Sequence, residues 1–172
     1  LDGRELWHMK RLAVVTIQSP FAWNGRLFVT SGSSGEQNKP IAAILPGGSG
    51  DITPPERVNK NDHVVWYNRL AGGTYLPTPL IYDRALYVLY AKGIFARYDV
   101  DTGERVFRAR IAPGAAAFTT SPWAYNGKVF TMSEEGDTFV IEAGEKYRLL
   151  DVNSLNEWVM ATPAIVGDRL LI

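Results

Sequence analysis

An internal repeat constrains this chain most, because self-similarity at a fixed period decides architecture before any single residue does. Four segments align without a gap over eleven positions: SPFAWNGRLFV from Ser19, TPLIYDRALYV from Thr78, SPWAYNGKVFT from Ser121 and TPAIVGDRLLI from Thr162. Each opens with Ser or Thr followed by proline (Pro20, Pro79, Pro122, Pro163) and runs through apolar residues to a polar turn. It then resumes with an apolar pair: Leu27 and Phe28, Leu86 and Tyr87, Val129 and Phe130, Leu170 and Leu171. The turns hold Asn24 and Gly25, Asp83 and Arg84, Asn126 and Gly127, Gly167 and Asp168. The two Asn-Gly pairs suit the positive φ of a tight hairpin turn, so each segment reads as strand, turn, strand.

The copies start 59, 43 and 41 residues apart, and about 40 to 45 residues is the length of a four-stranded propeller blade. Inside the second and third copies, Gly93 and Gly136 each precede a further strand-like run, Ile94 to Asp99 and Asp137 to Glu142. A turn at Asp101, Thr102 and Gly103 leads to a fourth strand from Glu104 to Arg110, and the third copy abbreviates this around Gly144. Residues 1–9 fit the same register, with Gly3 and Trp7 spaced as Gly103 and Phe107 are. Trp7, Trp66, Phe107 and Tyr147 therefore read as one equivalent position, a ring that fills the wedge between neighbouring sheets.

The reading is an all-β chain, a β-propeller segment of four-stranded antiparallel blades spanning 1–172. Residues 1–9 are the last strand of a preceding blade, and 19–70 are a blade carrying an insertion at 31–61. Blades follow at 78–111 and 119–150, and 162–172 start the next. Three whole blades and two partial ones do not close a ring well. The expectation is a piece of a larger propeller, or a chain that self-associates through its open blade edges.

The residues TPLIYDRALYVLYAKGIFARYDVDTGERVF from Thr78 resemble the quinoprotein-like propellers with PQQ-type repeats. That family includes PQQ-dependent alcohol dehydrogenases and the outer-membrane assembly scaffold BamB. The shared pattern is the Ser/Thr-Pro hairpin, a Gly turn, then Asp99, Thr102, Gly103 and an aromatic four residues later, Phe107. Family enzymes usually place a docking Trp there; this chain keeps Trp at 7 and 66 and departs at Phe107 and Tyr147. The copies SPWAYNGKVF and ATPAIVGDRLLI are similar to bacterial PQQ-like repeat proteins of unassigned function. The resemblance implies a periplasmic or extracellular location and, for the enzymes, PQQ held by a metal ion such as calcium.

Composition narrows the function. Lys plus Arg and Asp plus Glu are 18 each, so the net charge is zero, which argues against electrostatic capture of nucleic acid. The chain has no cysteine, which removes disulfides, thiolate metal sites and the adjacent-cysteine disulfide of many PQQ enzymes. No stretch approaches the roughly 20 apolar residues that span a bilayer, and the opening LDGRELWH lacks the pattern of a signal peptide.

The candidate chemistry is sparse. Glu56, Asn59, Asp62 and Glu157 are residue types that could ligate a metal beside PQQ, without spacing that selects them. Asp101-Thr102-Gly103 matches an aspartic-protease triplet, but those enzymes need two such carboxylates and only one copy exists; a side-chain-capped turn is the expectation. Asp99, Asp101 and Glu104 fall short of a calcium loop, since the glycine is misplaced. His8 and His63 share no motif, Ser49 in PGGSGD lacks a nucleophile elbow, and Glu134, Glu135 and Asp137 read as solvated hairpin charge. The insertion 31–61, with its apolar centre Ile41 to Leu45, is the part the repeat does not dictate. Ile41, Leu45, Ser49 and Asp51 are the candidate partner-binding residues. The expected function is a non-catalytic binding or scaffolding module for a protein or carbohydrate. The alternative is a segment of a PQQ-dependent dehydrogenase.

Overall fold

The computed structural model describes residues 2–33, 35–111 and 117–172, and every described element is a strand. In chain order these are β1 (Trp7–His8), β2 (Phe21–Trp23), β3 (Arg26–Thr30), β4 (Ile41–Ile44), β5 (Gly50–Asp51), β6 (Val64–Asn68), β7 (Leu80–Tyr82) and β8 (Ala85–Tyr90). There follow β9 (Ile94–Asp99), β10 (Arg105–Arg110), β11 (Trp123–Tyr125), β12 (Lys128–Met132), β13 (Asp137–Glu142), β14 (Leu149–Ser154), β15 (Ala164–Val166) and β16 (Arg169–Leu171). Three sheets have four antiparallel strands: β2-β3-β4-β6, β7-β8-β9-β10 and β11-β12-β13-β14. The hairpin β15-β16 forms a two-stranded sheet, and β1 pairs with β5 in parallel. This is an all-β fold of four-stranded propeller blades in open sheets.

The four repeated segments are the four first hairpins. Asn24, Asp83, Arg84 and Asn126 all take positive φ, as the tight turns demand. Alternation then sorts the side chains by face.

The chain divides into two compact units, Leu1–Tyr75 with Asp101–Glu104, and Leu76–Val100 with Arg105–Ile172. In the first, Ala42, Ile44, Ile52, Val64 and Tyr67 are buried together, with Trp7, Met9, Leu27 and Val29 against them. In the second, Tyr87, Leu89, Phe95, Phe118, Phe139 and Ile141 belong to one buried cluster. Tyr87 stacks on Phe95 with centroids 5.7 Å apart, an arrangement that adds to the area the rings bury.

The first blade corrects the sequence reading. Ile41–Ile44, expected as the centre of an insertion over 31–61, is its third strand, paired to β3 on one side and β6 on the other. The third strand is short and is flanked by two long connections, 31–40 and 45–63, so the alignment dissolved it into one excursion. Residues 1–9, expected as the closing strand of a preceding blade, supply β1, whose partner is β5.

All three outer strands carry a register shift at the same place. It falls between Ala43 and Ile44 opposite β6, between Arg105 and Phe107 in β10, and between Val140 and Ile141 opposite β14. One residue is skipped each time, Val65, Val106 and Leu150, which is how a β-bulge turns a strand.

Candidate functional site

The positions read as inter-sheet packing divide into a ring and its receiver. Trp66 follows the bulge of β6, and a Cβ built on Gly103 would stand 2.5 Å from its ring, so only glycine lets the Asp101–Gly103 turn lie flat there. Gly103 has φ +71, a second reason for glycine. Its carbonyl accepts the Asn68 Nδ2 amide at 2.9 Å, and Asp101 is paired with Arg26 at 2.7 Å. The Glu104 amide donates to Thr102 Oγ1 at 3.2 Å, the side-chain-capped turn that Ser and Thr favour. Asp99 is the last residue of β9, opposite Ala85.

Phe107 holds the same register position after its own bulge, and the third sheet corrects the sequence alignment. The residue opposite Val140 there is Asp151, not Tyr147, which lies before β14 begins. Tyr147 instead receives: its ring lies 6.1 Å from that of Phe107, and its hydroxyl donates to the Ile111 carbonyl at 3.0 Å. Burial pushes its phenol above the ordinary value. Spacing alone put Tyr147 in line with Trp66 because a short turn and a bulge shift the count.

A second seal went unrecognised in the sequence. The Thr78 amide donates to Ser121 Oγ at 2.9 Å, and the Ser121 amide donates to Thr162 Oγ1 at 2.8 Å. The hydroxyls before Pro122 and Pro163 thus satisfy the amide of the equivalent residue in the preceding sheet. The repetition of Ser or Thr at every copy's first position was the available signal.

The proposed partner-binding residues separate. Ile41 is fully buried in β4 and available to no partner, whereas Leu45, Ser49 and Asp51 are exposed along the 45–63 connection. Asp51 pairs with Lys10 Nζ at 2.8 Å and accepts the Thr53 amide at 3.0 Å, and the hydrogen bonds from Lys10 and Thr53 hold its carboxyl well below the usual carboxylate range. His8 lies between two carboxylates, Nδ1 3.0 Å from Glu5 and Nε2 3.5 Å from Asp51. His63 donates its backbone amide to Asn61 Oδ1 at 3.0 Å.

Glu36 organises the other connection, accepting the amides of Ser33 at 2.6 Å and Val14 at 2.8 Å. Desolvation works against its charge, and the amides of Ser33, Val14 and Val15 outweigh it, so its carboxyl sits below the ordinary value. Glu134 accepts the Thr119 hydroxyl, and Asp137 opens β13 beside the turn at Gly136. Half-buried Tyr90 has its phenol raised by desolvation and by its neighbour Tyr98, to which it is hydrogen-bonded at 2.9 Å.

Of the residue types that could ligate a metal beside PQQ, Glu56, Asn59 and Asp62 are exposed on the 45–63 connection and Glu157 is exposed after β14. Among the described residues no three of His, Asp and Glu converge as a metal site. A groove of about 400 Å³ lies between the third sheet and β15-β16, with Trp123, Tyr125, Phe130, Val140 and Ile165 in its walls. No helix among the described residues is long and apolar enough to cross a membrane.

Substitutions at three positions test these contacts. Gly103→Ala adds backbone strain to a clash with Trp66 and is expected to cost at least about 1 kcal/mol in urea unfolding. Ser121→Ala leaves the Thr78 amide unsatisfied and is expected to cost about 1–3 kcal/mol, with Ser121→Thr restoring most of it. Glu36 has a folded-state pKa below its unfolded one, so its contribution is present above pH 4.5 and is lost as pH falls through the folded value. The stability difference between the native chain and Glu36→Gln should therefore shrink on acidification in a urea series across that range.

No family model and no curated protein matches the chain. Solved structures do. BamB from Moraxella catarrhalis superposes with TM-score 0.59 at 14% identity, over 85% of this chain and 39% of that one. A quinohemoprotein alcohol dehydrogenase from Pseudomonas putida HK5 gives TM-score 0.57 at 15% identity, over 83% and 21%. The quinohemoprotein alcohol dehydrogenase from Comamonas testosteroni gives 0.56 at 15%, over 83% and 22%. The chain thus spans about two fifths of the BamB structure and about a fifth of each dehydrogenase, and what it shares with them is the β-propeller fold.

Proposed function

We infer that this chain is a non-catalytic binding or scaffolding part of a β-propeller, which contacts a protein partner through its non-repeating connection 45–63. One observation carries the reading: several carboxylates, among them Asp101, Asp51 and Glu134 of those the sequence singled out, are engaged in holding backbone and turns. Asp101 pairs with Arg26, Asp51 with Lys10, Glu134 with Thr119, and Glu36 caps three amides. Catalysis by paired carboxylates needs them held together and free to exchange protons. The connection meanwhile exposes Leu45 at 39% and Val58 at 42%, apolar groups on a long loop over a rigid sheet, where binding surfaces concentrate. A carbohydrate is the other ligand class open to such a loop. The propeller likeness supports a periplasmic or extracellular setting.

The second reading, a segment of a PQQ-dependent dehydrogenase, draws on the likeness to the two quinohemoprotein structures. Adding PQQ and calcium to the chain separates the two. The scaffold reading expects no saturable heat in titration calorimetry and no reduction of an electron-accepting dye; saturable dye reduction overturns it.

A further inference from the structure

The connection 45–63 does more than leave and re-enter the first sheet. β5 pairs with β1 in parallel, the Gly50 amide donating to the Leu6 carbonyl at 2.9 Å and the Ile52 amide to the His8 carbonyl at 3.0 Å. Two residues of parallel pairing are a weak ladder by themselves. What surrounds them is not weak. Ile52 is 2% exposed and packs in the cluster that contains Tyr67 and receives Trp7 and Met9. The Lys10 amide donates to Thr53 Oγ1 at 2.8 Å. Arg11, at φ 68, sends one guanidinium nitrogen to the carbonyls of Pro54 at 3.1 Å and Pro55 at 3.0 Å. Its guanidinium stands 4.7 Å over the ring of Tyr67, whose hydroxyl donates back to the Arg11 carbonyl at 2.7 Å. Asn61 closes the far end, giving Nδ2 to the Ile52 carbonyl at 3.0 Å and accepting the Val64 amide at 2.8 Å.

We propose that residues 45–63 are a strap that locks the segment 6–11 onto the first sheet, with Arg11 as its pin, so that strap and segment open together as one cooperative unit. Arg11 is the pin because its polar contacts join all three parts: its own segment, the strap through the Pro54 and Pro55 carbonyls, and β6 through Tyr67. The ion pair of Lys10 with Asp51 and the contacts of His8 with Asp51 and Glu5 lie at the exposed rim, where charge pairs contribute little. A planar guanidinium serves here because it donates in fixed directions while presenting a face to the ring. The strap also holds Trp7 as one wall of a cavity of about 320 Å³ whose other walls include Ala22, Leu27 and Ile44.

Hydrogen exchange on the whole chain, read residue by residue, tests the coupling. Arg11→Ala should speed exchange at the Gly50 and Ile52 amides and at the Lys10 amide together, by about tenfold or more, while the β8 and β12 amides change by less than about twofold. Faster exchange confined to Lys10, with Gly50 and Ile52 unchanged, overturns the proposal. If Arg11→Ala exposes β8 and β12 as well, Tyr67→Phe decides: it removes one hydroxyl bond from the pin and should accelerate the same three amides in parallel. Unequal responses among the three, or none, overturn the strap.

Discussion

Neighbouring sheets pack only if the gap between them is closed, and between the second and third sheets this chain closes it twice. A ring placed after a β-bulge packs on a residue ahead of the next outer strand: Trp66 on Gly103, Phe107 against Tyr147. At the first hairpins, a hydroxyl satisfies the amide of the equivalent residue, Ser121 for Thr78 and Thr162 for Ser121. The first seal buries area and the second removes an unsatisfied donor, so the two guard against different losses. The bulge is what aims the ring, because without the skipped residue the alternation along the strand would send it to the other face.

The receiver is more variable than the ring. Glycine receives Trp66 because the indole comes too close for any Cβ, whereas the smaller Phe107 leaves room for a tilted tyrosine. Size at one position therefore dictates composition at another that lies far away in sequence. The third sheet places Asp151 where the rings sit, and its outer strand is exposed along its whole length.

The proposed function rests on what the repeat leaves over. Asp101, Asp51 and Glu36 are absorbed by turns, caps and rim pairs. The 45–63 connection is different in kind: it reaches away from its own hairpin, binds a segment more than forty residues earlier, and shows apolar side chains to solvent. A scaffold that varies its connections while keeping its sheets can acquire a partner without disturbing the core.

Hairpins, turns and the all-β class were readable from the chain because they depend on neighbours in sequence: proline before a strand, Asn-Gly at a tight turn, apolar residues at alternate positions. Gly103 and its turn were readable for the same reason. Three things were decided only in three dimensions. Ile41–Ile44 became a central strand because β3 and β6 flank it, although its connections hid it. Tyr147 became the receiver of a ring because a bulge and a shortened turn moved the register, which spacing cannot show. Arg11 drew no notice as one cationic side chain among eighteen, and it gained its role when folding brought two proline carbonyls and a tyrosine ring around it. Local backbone preference is written residue by residue, but the partner of a side chain depends on which distant strands come to lie beside it.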